Sequence, residues 1–213
     1  MENLLSKETN DFVNAIKAGN FEEATDMLLN DKEINIDPGV ILYEIQEAVI
    51  FTAISEKQVA LFRALMNHKR FSKEFSATAI DSLGEPVLLR LFYTIMGDCD
   101  SKGEKDAMIT LLEDAIDSNI FDLNQIDRND DNLLQAMLQY GDKTLIPACI
   151  KLIKNEKVNI TNVNDLGLTA FGCALKGDLS RLSYMILEDR KDFIASQNDV
   201  KKLLKNLGYR YKD

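Results

Sequence analysis

Asp98, Asp100, Gly103 and Asp106 fall at spacings used by calcium-binding loops, so metal chemistry is the first possibility to weigh. Such a loop needs an oxygen ligand at its fifth position and a bidentate Glu at its twelfth. Lys102 and Ile109 hold those two places, and both strong ligands are missing. The run Asp127-Arg128-Asn129-Asp130-Asp131 fails in the same way, because Leu138 stands where the Glu is required. The first reads as a solvated insertion and the second as a turn. Neither a metal nor any other cofactor is expected.

Nucleophilic and acid–base chemistry have little to work with. His68 is the single histidine, which excludes His-rich zinc sites and leaves one candidate general base. It sits near the expected end of a helix, after Met66-Asn67 and before Lys69-Arg70, and reads as a partner for the helix dipole. Cys99, Cys149 and Cys173 lack paired spacing and a sequence-local His. Cys149 and Cys173 lie inside apolar helical patterns and read as small core residues in a reducing compartment. No Gly-rich phosphate loop or Gly-x-Ser-x-Gly elbow occurs. The expectation is a protein that is not an enzyme. The weaker alternative is an enzyme on a helical scaffold, with carboxylates assembled from distant parts of the chain.

Charge narrows the partners. At net −10 the chain repels phosphate backbones and anionic lipid, so no nucleic acid and no membrane are expected; a basic or mixed protein surface is accommodated more easily. Lys201, Lys202, Lys205, Arg210 and Lys212 make the tail basic, with Tyr209 and Tyr211 between them. On an acidic protein that tail reads as a solvated capping helix. No run approaches the ~18 apolar residues of a membrane span. The start, MENLLSKETNDF, lacks the basic region and long apolar core of a secretory signal, so a cytoplasmic monomer is expected.

The elements that must position these residues are helices. Leu, Ile, Ala, Lys and Glu are abundant, whereas there are 3 Pro, 10 Gly and no Trp. Helix-turn-helix units are expected over about 8–40, 41–78, 79–125, 126–161 and 162–190, with a capping helix and tail over 191–213. In the first, a helix through Ala15 stops at Gly19-Asn20, and Ala24, Met27 and Leu28 mark the next. In the second, Ile41–Ile54 is apolar at helical spacing and Ser55-x-x-Gln58 has the form of a capping box. In the third, Ser82-Leu83-Gly84-Glu85-Pro86 turns into an apolar helix over Val87–Met96, and Ser101-x-x-Glu104 caps a helix reaching about Ser118. In the fourth, Met137 is given the place that Ala174 takes in the fifth. The fifth runs through Asn164-Asp165-Leu166-Gly167, the helix after Thr169, a break at Gly177-Asp178, and an apolar stripe of Leu179, Leu182, Met185 and Ile186.

The residues Gly167-x-Thr169-Ala170-Phe171-x-x-Ala174 resemble the ankyrin signature G-x-T-P-L-H-x-A, with Ala for Pro and Gly172 for His. The run Ala15–Gly19 followed by Ala24–Leu28 resembles the opening unit of such arrays. Asn124 and Asn159 resemble the asparagines of their linkers. The resemblance implies an all-α solenoid of about five helix-turn-helix ankyrin-like repeats with a C-terminal helical cap. HEAT-type helix pairs are the alternative for the second and third units.

Ankyrin arrays mostly bind proteins through a concave face and turn tips, so the resemblance implies non-catalytic protein–protein interaction. A stand-alone array of this kind is similar to effectors that intracellular bacteria deliver into host cells without a cleavable signal. The partner-binding candidates are Asp127, Arg128, Asn129, Asp130, Asp131, Asn162, Asn164, Asp165 and Leu166, all expected at exposed tips. Ala174 is expected to be buried between neighbouring first helices, and Gly167 to have positive φ. The rival function is an inhibitor or antidote protein masking a basic target.

Overall fold

Helix α1 (Lys7–Lys17) starts because Ser6 Oγ accepts the N–H of Thr9 at 3.1 Å, which satisfies one of the donors every helix leaves open at its N-terminus. It ends at Gly19, where φ is +74, and α2 (Phe21–Asn30) follows with Glu22 and Glu23 in its first turn. The computed structural model describes residues 6–31, 36, 41–42, 47–69, 71, 79–190, 203 and 205. Among them the fold is all-α: ten α-helices succeed one another in five pairs, with a two-stranded antiparallel ladder of two residues a side and one 3-10 turn between them. The chain forms two compact units, Met1–Asp122 and Leu123–Asp213.

In the first unit, β1 (Ile41–Leu42) pairs with β2 (Glu47–Ala48), Ile41 opposite Ala48. The apolar run Ile41–Ile54 is therefore not one helix. Its start, Ile41–Leu42, is extended, and α3 (Val49–Ser55) begins only after Ala48, whose φ and ψ are extended. Helix α4 (Val59–Asn67) also corrects the capping reading. Ser55 is the last residue of α3, and Gln58 stands before α4 without a side-chain cap. Lys57 makes the turn instead, at φ +53, where a Gly would be more usual.

Helices α5 (Val87–Gly97) and α6 (Lys102–Asp117) complete this unit. Ser101 Oγ accepts the N–H of Glu104 at 3.2 Å, as the spacing implied. The second helices pack in sequence, α2 on α4 and α4 on α6, while α3 packs on α5. Phe12, Phe51, Phe62 and Phe92 are fully buried, each contributing roughly 1.5–3 kcal/mol by removal from water. Phe121 joins the end of this core, 6.2 Å centroid to centroid from both Phe62 and Phe71.

In the second unit, α7 (Leu133–Tyr140) opens on a complete capping box, Asn132 with Gln135, and stops at Gly141 with φ +75. A 3-10 turn at Lys143–Leu145 leads into α8 (Ile146–Lys154), with Pro147 in its first turn where no N–H is missed. Helices α9 (Ala170–Lys176) and α10 (Ser180–Asp189) follow. Helix α9 lies against α7, and α10 against α8. Ala174 is fully buried.

Arg190 closes this unit. Its buried guanidinium donates to the carbonyls of Val158 (2.9 Å), Ile153 and Asn155 (3.4 Å each), placing a cation at the C-terminal end of α8. Of the segment expected to cap the fold, residues 191–213, only Leu203 and Lys205 are described; Leu203 is helical and buried. The rest of that expectation lies outside the described residues. No helix among the described residues is long and apolar enough to cross a membrane.

A candidate interaction edge built from two matched turns

The turn before α7 is made by Asp127. Its Oδ1 accepts the N–H groups of Asn129 (2.8 Å) and Asp131 (3.0 Å), while its backbone carbonyl accepts from Asp130 at 3.1 Å. Asp130 takes φ +59, and the N–H of Asp127 donates to the carbonyl of Asp131 at 3.0 Å. Asn164 builds the turn before α9 the same way. Its Oδ1 accepts from Leu166 (3.1 Å) and Leu168 (2.9 Å), its carbonyl accepts from Gly167 (2.9 Å), and Gly167 takes φ +72.

The first unit contains a third copy before α5. Asp81 Oδ1 accepts from Leu83 (2.9 Å) and Glu85 (2.8 Å), and Gly84 takes φ +81. An Asp or Asn that bonds its own backbone two and four residues on, followed by a residue able to adopt positive φ, is thus the repeated device. Counting forward from Asp130 and Gly167 sets Met137 opposite Ala174, as the sequence register had them.

Within the second unit the two turns are joined side by side. The N–H of Asp165 donates to the carbonyl of Asn129 at 3.0 Å, and Asn162 Nδ2 donates to the carbonyl of Asp130 at 2.7 Å. Asn164 Nδ2 donates to Asp131 Oδ1 at 2.7 Å in a buried contact. Gln135, fully buried, reaches across from α7 to the carbonyls of Asn162 (2.9 Å) and Leu168 (3.0 Å). The linkers pair likewise: Asn124 Oδ1 accepts the N–H of Asn159 at 2.6 Å, and its Nδ2 donates to the carbonyl of Lys157 at 2.8 Å. The buried polar groups of this edge are bonded within their own turn, as Asp127 is, or across to the neighbouring one, as Asn164 and Gln135 are.

Burial divides the nine candidates. Asp127, Asp131 and Asn164 are buried and hold the turns, which corrects the expectation that all nine stand at exposed tips. Burial raises the carboxyl pKa of Asp131; the hydrogen bond from Asn164 opposes this, and the carboxylates of Asp127 and Asp165 add to it. Asn162 is half-buried. Arg128, Asn129, Asp130, Asp165 and Leu166 face outward. Ile126, Val163 and Leu166 are 44%, 55% and 55% exposed. Ile126 and Val163 precede Asp127 and Asn164, so they occupy one register position in the two turns. Sequence reasoning did not single them out, nor Asn132 and Gln135. The signal for Ile126 and Val163 was a β-branched residue just before each turn-forming Asp or Asn.

The other candidates for chemistry serve the fold. His68 ends α4, with Nε2 3.1 Å from Asp31 Oδ2, which also accepts the N–H of Ile36 at 2.7 Å. That buried pair ties the end of α2 to the end of α4. In the loop with calcium-like spacing, the Lys57 ammonium donates to the Asp98 carbonyl (2.8 Å) and Asp100 Oδ2 (3.0 Å) and lies 3.3 Å from Glu104 Oε2. The hydrogen bond with Asp100 raises the lysine pKa. The chain's own cation thus sits among these carboxylates, and the described residues hold no group of three or more His, Cys, Asp or Glu fit for a metal.

The net negative charge is confined to one unit. Residues 1–122 carry 23 acidic and 11 basic side chains, a net of −12, against 12 and 14 for residues 123–213, a net of +2. The edge therefore belongs to a nearly neutral unit of mixed surface charge. No family model matches the chain, and no curated protein matches it.

Proposed function

We propose that the chain is a non-catalytic protein-binding module of ankyrin type, which engages a host-cell protein through the turn edge of its second unit. The observation that carries the reading is Leu166. Asn164 and Gly167 supply everything the turn needs, yet a large apolar side chain projects from its tip with more than half its surface in water. Ile126 and Val163 add apolar surface on a frame already ordered by hydrogen bonds, so binding loses little conformational entropy. Arg128, Asp130 and Asp165 supply a polar surround of both signs, as protein interfaces commonly have.

A photoreactive residue at position 166 tests this reading, with position 184 on the exposed face of α10 as control. Crosslinking of one protein from host extract at 166, lost on adding excess unmodified chain and not seen at 184, is the expected result. Equal labelling at both positions would sink it. A second reading, an inhibitor masking a basic target, draws on the −12 of the first unit. It predicts a basic protein that co-purifies from the producing cell at low salt and is released at high salt.

A further inference from the structure

Eight large apolar side chains are exposed among the described residues, and five of them stand on the three turns. They recur at two positions. Ile80, Ile126 and Val163 each precede the Asp or Asn that makes the turn, and Leu83 and Leu166 each follow it by two. The first unit's tip, Ile80-Asp81-Ser82-Leu83-Gly84, thus has the same design as Val163-Asn164-Asp165-Leu166-Gly167 in the second unit. Ile80 and Leu83 are 54% and 59% exposed, and Val163 and Leu166 are 55% each.

The frames beneath the two pairs agree as well. Asp81 Oδ1 accepts from Leu83 and Glu85 at 2.9 and 2.8 Å; Asn164 Oδ1 accepts from Leu166 and Leu168 at 3.1 and 2.9 Å. Gly84 and Gly167 take φ +81 and +72. Side chains at matching positions on matching backbones stand in the same relation to one another. Neither frame uses them: Leu83 and Leu166 contribute only their N–H groups, and Ile80 meets Pro86 in a single antiparallel bridge made by main chain. The turn between them in sequence lacks the pair. Asn129 stands where the leucines do, with its Nδ2 3.3 Å from Asp127 Oδ2 and its carbonyl accepting the N–H of Asp165. One exposed Leu needs no explanation, but the same apolar pair set twice on one frame is a repeated surface.

We propose that the tip of the first unit is a second contact for the same partner, so that one chain takes two partner molecules. Each partner offers an apolar cleft that admits a Leu and a neighbouring β-branched side chain. The tips lie in units of net −12 and +2, and Ser82 stands where Asp165 does, so what they share is apolar and the cleft is uncharged where it meets them. This inference rests on the reading of Leu166 given above.

The test places the photoreactive residue at position 83 of the full chain in the same host extract, with position 106 on the exposed face of α6 as control. The expected result is that mass spectrometry identifies one and the same protein at 83 and at 166, and neither is labelled through 106. Excess unmodified chain should abolish both crosslinks, and chain carrying Leu83→Ala with Leu166→Ala should not. Light scattering on the purified partner should then give two partners per unmodified chain at saturation. Each single substitution should weaken its own tip about tenfold and leave the other unchanged. Capture at 166 with nothing, or another protein, at 83 would overturn this proposal alone, as would saturation at one partner per unmodified chain. No capture at 166 would take this proposal down together with the reading it rests on. The stoichiometry uses only the unmodified chain, so it stands even if a variant misfolds.

Discussion

Gly141 and Gly177 meet backbone to backbone where α7 and α9 end. A Cβ placed on Gly177 would clash with the Leu138 carbonyl oxygen, and one placed on Gly141 would clash with the carbonyl oxygen of Gly177. The two glycines are needed for different reasons. Gly141 also has φ +75, whereas Gly177 has φ −78, which any residue adopts, so Gly177 is required for space alone. Gly177→Ala should therefore cost about 1–3 kcal/mol by forcing the helix ends apart. Gly97→Ala provides the contrast. Gly97 ends α5 with nothing within 4 Å of an added Cβ, so the change should be neutral or stabilising by up to about 1 kcal/mol. Urea midpoints of the two variants check both signs.

Asp131 and Asp165 belong to adjoining turns but should respond very unequally to the same change. Asp131 is 2% exposed and accepts from Asn164 and Gln139, so Asp131→Lys buries a cation against two donors and should cost about 3 kcal/mol or more. Asp165→Lys alters an exposed side chain and should stay within about 0.5 kcal/mol. Asp131 also gives a pH signature. Its pKa is raised by burial, so its ionised form is the one the fold disfavours, and its contribution falls as pH rises from below 3.8 through the raised value. Asp131→Asn never ionises. The stability gap between wild type and Asp131→Asn should accordingly shrink from pH 3.5 toward neutrality; a gap that widens would reverse the assignment.

Helix pairing was legible because apolar residues at 3.6 spacing, bounded by Gly and Pro, leave few alternatives. Gly167 was legible for the same kind of local reason, as a residue that must take positive φ. What sequence could not convey was long-range pairing. Asp127 and Asn164 read as surface turn formers because Asp and Asn usually are. Both are buried in the fold, and Asn164 bonds across to Asp131 of the other turn, 33 residues away. Gln135 reaches carbonyls 27 and 33 residues on, His68 reaches Asp31 37 residues back, and no local pattern encodes either. The hairpin before α3 was hidden by Ile and Leu, which serve helix and strand alike.

The cysteines offer a chemical check on burial. Burial pushes the thiols of Cys149 and Cys173 up to about 12, so at pH 8 roughly one molecule in ten thousand carries the reactive thiolate at either site. Cys99 is half-buried at the end of α5, and its thiol is raised as well, chiefly by burial. A disulfide reagent at pH 8 should therefore label one thiol slowly in the native chain and all three in denaturant. Rapid native labelling of two or more would show that the α7–α10 core opens far more readily than its packing implies.

Leu166 is where stability and recognition separate. Its side chain is 55% exposed, and the turn is already held by Asn164 Oδ1 and by φ +72 at Gly167, so Leu166→Ala should change stability by less than about 0.5 kcal/mol. If Leu166 fills a pocket on the partner, the loss falls on residence time, and the off-rate should rise about tenfold with the on-rate nearly unchanged. Asp165→Lys acts on approach instead. In a unit of net +2 it should change the on-rate and its salt dependence, with little effect on the off-rate. Surface plasmon resonance on the crosslinked partner separates the two, with circular dichroism as the folding control. Unchanged kinetics in both variants would move the binding surface off this edge and leave the acidic first unit as the place to look.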